Sequence, residues 1–186
     1  MSMVEELLRL YTIQPQALWD TLQKEGITRV DSWRTEKDFS QAYQWLKLQM
    51  KKRVRGYRGG DLFWAWAEKP PFEEYYQWGN PGEPKVCLEL LIPKKRVLLS
   101  DFDLWHHVLN GWYLCLSEKE SERLWKRKMT SSFRREQSKS WEKIFDLTLA
   151  DKYLDWLGGN VRVQATFEYF RRDEVVSVEY FESGIK

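Results

Sequence analysis

Apolar residues in this chain recur at two spacings, and each spacing predicts a different kind of element. Short runs rich in branched and aromatic side chains, bounded by glycine or proline, predict strands. These runs are residues 9–14, 27–30, 62–67, 86–93, 161–170 and 175–181. The last two runs are separated only by a short charged turn, which predicts a strand pair at the end of the chain.

Other segments repeat apolar residues at three- and four-residue steps, which predicts helices. The clearest helix carries Phe39, Ala42, Tyr43, Leu46 and Met50. Two pairs resemble capping boxes, Ser100 with Asp103 and Ser117 with Glu120, and the second pair begins a long polar helix that extends through residue 135. The predicted class is α+β, with helices framing a mainly antiparallel sheet.

Length and composition predict one domain over residues 1–186 with a core rich in rings. A chain of 186 residues buries about 70% of its unfolded surface on folding. It contains 11 Trp, 9 Tyr and 9 Phe, too many large rings for all of them to lie inside. Because a buried indole N–H needs a partner, we expect some rings at the edge of a groove that suits a flat ligand.

Charge and cysteine usage exclude several classes of protein. A net charge of +2 argues against bulk electrostatic attachment to nucleic acid or membrane, although local patches remain. Cys87 and Cys115 lie in apolar runs without the spacing of a disulfide scaffold or a zinc site. We expect no secretory leader, because the first residues lack a charged and then apolar pattern, and no apolar run approaches the roughly 20 residues of a membrane span. We therefore expect a cytoplasmic protein without a metal site or membrane partner.

Residues 98–110 hold the best candidate for chemistry, because both histidines and two carboxylates lie there at a predicted helix start. Asp103 precedes His106 by three residues, so a helix brings the carboxylate beside the imidazole. This is the arrangement of a general base with its orienting acid, and Asp103 and His106 are the candidate catalytic residues. Asp101 and Trp105 are candidate ligand contacts. The alternative is structural, with Asp103 as a helix cap and the histidines in the core or in solvent.

Two basic segments, 51–58 and 123–135, are candidates for phosphate recognition. Arg58 and the glycines around it can cradle a phosphate through a guanidinium group and exposed backbone N–H groups. The second segment interleaves Trp125 and Phe133 among cations, as single-strand binders do. The alternative for both is a solvated helix surface, since cations suit a helix C-terminus and glutamates flank the second segment.

Aromatic and amide side chains form a third candidate. Trp64 and Trp66 lie on the same face of the predicted strand 62–67, because strand side chains alternate. Such indoles can stack on a base or a nicotinamide, and core packing is their alternative role. Gln164, on a late strand, offers a carboxamide that can read the edge of a ligand or serve an internal hydrogen bond.

Five motifs occur together along the chain: Tyr11-Thr12-Ile13-Gln14, Ala42-Tyr43-x-Trp45-Leu46, Trp64-Ala65-Trp66, Leu98-Leu99-Ser100-Asp101-Phe102-Asp103-x-Trp105-His106 and Val163-Gln164-Ala165-Thr166-Phe167. In these motifs, which span nearly the whole chain, the sequence resembles an uncharacterised bacterial family that carries a domain of unknown function. The resemblance implies no established activity.

A second resemblance, carried by fewer features, is to the ADP-ribosyltransferase-like fold. It rests on an opening strand around Tyr11, a helix that ends at Gly26, a central strand at 97–99 and a late strand pair. The resemblance implies an Arg or His on the first strand that holds the nicotinamide nucleotide, and here Arg9 or Thr12 falls near that position. It also implies a catalytic glutamate on a late strand. Gln164 falls there instead, with Glu168 further along, and without that carboxylate a cationic ribosyl transition state lacks its usual stabilisation.

The sequence therefore predicts a protein that binds a nucleotide or an NAD-like ligand. By its resemblance to the ADP-ribosyltransferase-like fold, it is either a divergent enzyme of that kind or a protein that binds the ligand without turnover. In the active version, Trp64 and Trp66 stack on the ligand, Arg58 meets phosphate, Gln164 reads an edge, and Asp103 with His106 transfers a proton. Arg9, Tyr11 and Thr12 are further candidate contacts. The alternatives are a nucleic-acid-binding module that uses 51–58 and 123–135, and a protein-interaction domain with exposed tryptophans as anchors.

Overall fold

Two sheets of strands organise this protein, whose computed structural model describes residues 5–30 and 39–184. The strands of this part of the chain are β1 (Leu7–Pro15), β2 (Ile27–Arg29), β3 (Phe63–Trp66), β4 (Pro84–Pro93), β5 (Leu98–Asp101), β6 (Val163–Phe167), β7 (Tyr169–Arg171) and β8 (Val175–Glu182). The larger sheet has the strand order β5-β6-β3-β1-β4-β8, and β2 pairs with β7 in the smaller one. The pairs β1 with β3, β1 with β4, β3 with β6 and β4 with β8 are all antiparallel.

Helices fill most of the remaining described chain and confirm the predicted α+β class. They are α1 (Gln16–Glu25), α2 (Ser40–Arg53), α3 (Phe72–Tyr75), α4 (Phe102–Leu109), α5 (Glu118–Trp125), α6 (Ser131–Ser140), α7 (Leu149–Lys152) and α8 (Leu154–Leu157), with 3₁₀ turns at Lys94–Arg96, Trp141–Phe145 and Arg172–Glu174. Helix α1 ends at Gly26, whose positive φ of 76° lets its N–H bond the Leu22 carbonyl. No helix among the described residues is long and apolar enough to cross a membrane.

Three predicted elements differ from the observed ones. The long polar helix predicted through residue 135 is wrong, because Thr130 caps a new helix by accepting the Phe133 N–H at 3.1 Å, and α5 and α6 are separate. The single strand predicted for 161–170 breaks at Glu168 into β6 and β7. Ser100 lies within β5, and the cap of α4 is Asp101.

The chain divides into two compact units. Unit 1 takes its described residues from Met1–Arg34, Gln49–Leu98 and Gln164–Lys186. Its core is formed by the apolar face of the larger sheet, with Leu88, Leu90 and Ile92 of β4 fully buried. This core also contains the rings of Phe63 and Phe170, which meet edge to face with centroids 5.0 Å apart.

Unit 2 takes its described residues from Thr35–Leu48 and Leu99–Val163. Its centre is the indole of Trp141, which is 2% exposed. The Trp45 ring meets Trp141 edge to face at 5.5 Å and stacks on Phe145 at 5.8 Å. The Trp141 Nε1–H donates to the Trp112 carbonyl at 2.6 Å, so the buried indole has its polar partner.

Candidate functional site

Three strands of unit 1 place Tyr11, Trp66 and Gln164 in one row. Tyr11 of β1 is the register partner of Trp66 on β3, and Trp66 is the partner of Gln164 on β6. Directly opposed residues of antiparallel strands project from the same face with their Cβ atoms about 4.5–5.5 Å apart. The structure therefore brings a phenol, an indole and a carboxamide side by side. Tyr11 and Trp66 are half-buried, and Gln164 is 4% exposed.

Two more indoles extend this aromatic row. Trp64 lies two residues before Trp66 on β3 and so projects from the same face, where its register partner is Thr166. Trp78, in the loop after α3, lies with its ring 6.1 Å from that of Trp66 at a tilt of 33°. Trp78 is exposed, so the aromatic surface reaches solvent at this end.

Arg9 supplies positive charge on the face of the aromatic row. It precedes Tyr11 by two residues on β1, and its guanidinium group is exposed. Arg9 pairs with Glu89, which also accepts a hydrogen bond from the Ser177 hydroxyl at 2.9 Å. The carboxylate thus orients Arg9 while one side of the guanidinium faces water.

Thr12 does not share this face. Its side chain is buried on the opposite side of β1, where the hydroxyl donates to the Trp64 carbonyl at 2.7 Å and accepts from the Gln14 amide at 2.8 Å. Both interactions are internal and tie β1 to β3. The structure therefore separates Thr12 from the other candidate contacts of this strand.

The glycine-containing loop that follows α2 closes around a carboxylate of the protein itself. Glu168 is 7% exposed. Its Oε2 accepts the Arg58 N–H at 3.1 Å and its Oε1 accepts the Gly60 N–H at 2.9 Å. The Arg29 guanidinium lies 3.8 Å from Oε1. These two backbone donors are thus not available to a phosphate, which corrects the predicted cradle, although the Arg58 side chain is exposed.

Close packing explains why this loop needs its glycine and its tyrosine. A Cβ at Gly60 would lie 2.7 Å from Glu168 Oε1, so no larger residue fits without moving the carboxylate. The Tyr57 hydroxyl donates to the Gly60 carbonyl at 2.6 Å. Burial, together with the charges of Glu168 and Asp61, raises the pKa of Tyr57 to about 12. Tyr57 is thus a neutral donor that holds the loop.

A cleft of about 550 Å³ lies between α1 and β2 in unit 1. Its lining includes the hydroxyls of Thr21 and Thr28, the carboxylate of Glu25 and the guanidinium of Arg29. No aromatic ring of the described residues lines it, so it is less suited than the aromatic row to a base or a nicotinamide.

Unit 2 holds the other candidate residues, and Asp101 is the cap of α4. Its Oδ1 accepts the Asp103 and Leu104 N–H groups at 2.8 and 3.1 Å. Burial raises the pKa of Asp101 although these bonds oppose the rise. Trp105, one turn further, is a core residue at 3% exposure and meets the Tyr43 ring edge to face.

Asp103 and His106 each bind a different group. Both carboxylate oxygens of Asp103 accept from the Arg162 guanidinium, at 2.8 and 3.3 Å. The Nδ1 of His106 lies 3.0 Å from the Phe102 carbonyl, and the exposed imidazole packs edge-on against the Phe102 ring. The described residues therefore give Asp103 a structural partner other than the imidazole expected from helical spacing.

His107 makes the stability of unit 2 depend on pH. Burial lowers its pKa below the usual 6.5, with the charge of His106 adding to the shift and the Asp103 backbone opposing it. Because the unfolded chain then binds a proton that the folded chain resists, the free energy of unfolding is highest above pH 6.5 and falls as the pH drops below it. Urea titrations of wild type and His107→Leu at pH 7.5 and 5.5 measure this. A variant that keeps the full wild-type pH dependence contradicts the prediction.

Three residues of these sites have only weak signals in the sequence. Trp78 lies in a loop rich in glycine and proline, and its residue type is its only signal. Arg162 follows the turn at Gly158 and Gly159, without a pattern that points to Asp103. Glu168 is recognisable as the carboxylate four residues after Gln164. A single acidic residue within an otherwise apolar run is the signal that could mark it as buried and bonded.

Comparison with known proteins places the chain in a family but not in a functional class. No curated protein and no solved structure matches it. The resemblance to the ADP-ribosyltransferase-like fold therefore stays a prediction. Residues 9–176 match the family described as a domain of unknown function (DUF3841). This range includes the aromatic row of unit 1, the candidate residues of α4 in unit 2 and most of the paired strands. The chain therefore belongs to the DUF3841 family.

Proposed function

We propose that unit 1 binds a nucleotide or an NAD-like ligand on the aromatic row. The observation that carries the proposal is the register of Tyr11, Trp66 and Gln164, which sets two aromatic side chains and a carboxamide on one face of the sheet. A base or a nicotinamide is a planar ring with donors and acceptors on its edge. An indole stacks on the face of such a ring, and a carboxamide forms hydrogen bonds with the donors and acceptors on its edge.

Arg9 gives an anionic ligand one contact beside the row, and its ion pair with Glu89 leaves this point without net charge. Arg9 lies on the same face as Tyr11 and is exposed. A guanidinium group binds a phosphate through two parallel hydrogen bonds. Glu89 holds only part of the Arg9 donor set, because a guanidinium group has five N–H donors. The ring of the ligand would lie on Trp66 and Trp78, with its phosphate toward Arg9.

The proposal is limited to binding. A transferase of the resembled fold would need a carboxylate where Gln164 lies, and a neutral amide does not stabilise a developing cation. Glu168 is the nearest acid on that stretch of chain, but its two oxygens accept backbone N–H groups. Asp103, the predicted partner of His106, is held by Arg162. None of these contacts supports proton or ribosyl transfer.

A thermal-shift screen of the purified protein against NAD, ADP-ribose, ATP and adenosine at 50 and 200 mM salt tests the proposal. A ligand that binds only the folded state raises the melting temperature with its concentration. We expect a shift from at least one phosphate-bearing compound that persists at the higher salt, because a stacked and desolvated ring responds little to screening. No shift from any of them at millimolar concentration contradicts the proposal.

Trp66→Leu is expected to weaken the binding of the compound found in that screen by about tenfold, since stacking on one ring contributes about 1–3 kcal/mol. Isothermal titration calorimetry measures the change. The matched control is Trp112→Leu, an exposed indole of unit 2. Equal affinities for Trp66→Leu and Trp112→Leu would place the ligand elsewhere.

Gln164→Met tests the carboxamide separately. Methionine keeps the length of the buried side chain and removes its hydrogen-bonding groups. We expect weaker binding of the ligand with little change in its dependence on salt, because the carboxamide reads the ring edge and not a phosphate. If the folded variant binds as well as wild type, Gln164 does not read the ligand.

A further inference from the structure

The segment 123–135 exposes a tryptophan almost completely. Trp125, the last residue of α5, is 91% exposed, and Met129 after it is 62% exposed. A large apolar ring in water is unfavourable, at roughly 25 cal/mol for each Å² of apolar surface. The neighbouring apolar residue of α5, Leu124, is buried, so the helix packs its apolar side without Trp125. The exposure of Trp125 therefore has no packing explanation within the helix.

The same segment is strongly basic. It contains six cations, Arg123, Lys126, Arg127, Lys128, Arg134 and Arg135, and no acidic residue. All six side chains are exposed. Arg127 is held by Glu136 and lies over the Phe133 ring at 5.1 Å. Among the described residues, no acidic side chain forms an ion pair with the other five.

The break between α5 and α6 leaves residues 126–130, with three of the six cations, in a turn directly after Trp125. A continuous helix would distribute residues 123–135 over all sides of its axis, at about 100° for each residue. The chain instead leaves the helix after Trp125 and begins α6 at Ser131, with Thr130 as its cap. The clamp of Arg127 on Glu136 joins the end of α5 to α6. The turn between α5 and α6 is thus fixed to α6 by these two hydrogen bonds.

We propose that segment 123–135 binds single-stranded nucleic acid, with Trp125 stacking on a base and the surrounding lysines and arginines contacting the phosphates. Charge complementarity favours this partner over a neutral protein surface, since the six cations outnumber the neighbouring acids Glu118, Glu120, Glu122 and Glu136 and leave a net positive charge that attracts a polyanion. A membrane surface fits less well, because insertion needs a continuous apolar face, whereas α5 exposes one ring at its end. Stacking needs only one ring.

This proposal is independent of the ligand proposed for unit 1, and its test uses other probes. Fluorescence anisotropy of the full chain with labelled oligothymidylate and oligouridylate of 12 nucleotides measures affinity between 50 and 200 mM salt. We expect both strands to bind, and both affinities to fall steeply with salt because counterions are released. A labelled duplex of equal length is expected to bind more weakly than either strand, since its bases are not free to stack on Trp125.

Two variants separate stacking from charge. Trp125→Leu is expected to weaken binding about tenfold without changing the salt slope, since it removes the stacked ring and no charge. The double variant Lys126→Gln/Lys128→Gln is expected to lower the slope of log K against log salt by about 0.7 for each phosphate that the protein no longer neutralises. The controls are Trp112→Leu for the ring and Lys94→Gln/Lys95→Gln for the charge, and both are expected to bind as wild type.

Several outcomes would overturn the proposal. One is the absence of oligonucleotide binding at 50 mM salt, and another is a Trp125→Leu variant that binds as tightly as wild type. Equally weakened binding in the control variants would show non-specific attraction to the whole chain. Vesicles of phosphatidylcholine and phosphatidylserine serve as the competing surface. A blue shift of the tryptophan emission on vesicles that is lost in Trp125→Leu, without oligonucleotide binding, would assign the segment to a membrane.

Discussion

Replacing Glu168 with alanine is expected to lower the free energy of unfolding of unit 1 by about 1–3 kcal/mol. The substitution leaves the Arg58 and Gly60 N–H groups without their acceptor. A buried unsatisfied donor costs about 1–3 kcal/mol, and these two N–H groups lie toward the lower end of that range because both are only part-buried. Glu168→Gln is expected to cost less, because its remaining carbonyl oxygen still accepts one of the two N–H groups. Urea denaturation of the three proteins gives the order of stabilities.

Hydrogen exchange of the Arg58 and Gly60 amides locates the effect, since both are expected to lose protection in Glu168→Ala. Glu25→Ala is the matched control, an exposed acid of the same unit whose removal is expected to change stability by less than about 0.5 kcal/mol. An equal change in the two variants would show that the carboxylate of Glu168 contributes only through net charge. Unchanged exchange at Arg58 and Gly60 would contradict the assigned hydrogen bonds.

Trp141→Ala is expected to destabilise unit 2 by about 3–5 kcal/mol, the usual cost of truncating a large buried ring. The cost has two parts. Removal of the indole leaves a cavity beside Trp45, and the Trp112 carbonyl no longer receives the indole N–H. Trp141→Phe separates these parts, because phenylalanine fills much of the space without the donor. We expect an intermediate destabilisation for that variant.

The control for Trp141 is Trp112→Ala, whose ring is 58% exposed while its backbone carbonyl is kept. We expect a change of less than about 1 kcal/mol for this control. Circular dichroism in urea follows the unfolding of the whole chain in both variants, and hydrogen exchange of the α4 and α6 amides locates the loss of stability in unit 2. Comparable destabilisation at positions 112 and 141 would contradict the assignment of Trp141 as the centre of the core.

Strands and one helix are predictable because their signals are local. The run 86–93 corresponds to β4, and 9–14 lies within β1, since strand-forming residues that end at a proline define a strand without distant information. The pattern from Phe39 to Met50 likewise corresponds to α2. The split between α5 and α6 escapes prediction because segment 126–130 is as polar as the helices around it. Thr130 is a common cap residue, but it stands among many polar residues.

The site residues show where local reasoning stops. Helical spacing predicts Asp103 near His106, but Arg162 competes for the same carboxylate from 59 residues away. Glu168 meets Arg58 and Gly60 across 110 and 108 residues. The glycine pattern of that loop predicts an anion site, and the anion that it holds is a side chain of the protein. Packing between distant segments decides these contacts, and pairing of distant strands decides the row of aromatic and amide side chains in unit 1.

The strand order of the larger sheet also determines when the sheet can form during synthesis of the chain. β1 lies between β3 and β4, and all three are made early, whereas the strands that flank them, β6 and β8, come after residue 162. Until those last segments leave the ribosome, the outer sides of β3 and β4 present unpaired N–H and C=O groups beside apolar side chains. Such open edges recruit other chains. The nascent chain is thus expected to be more prone to aggregate before β6 and β8 are made than after they have paired with β3 and β4.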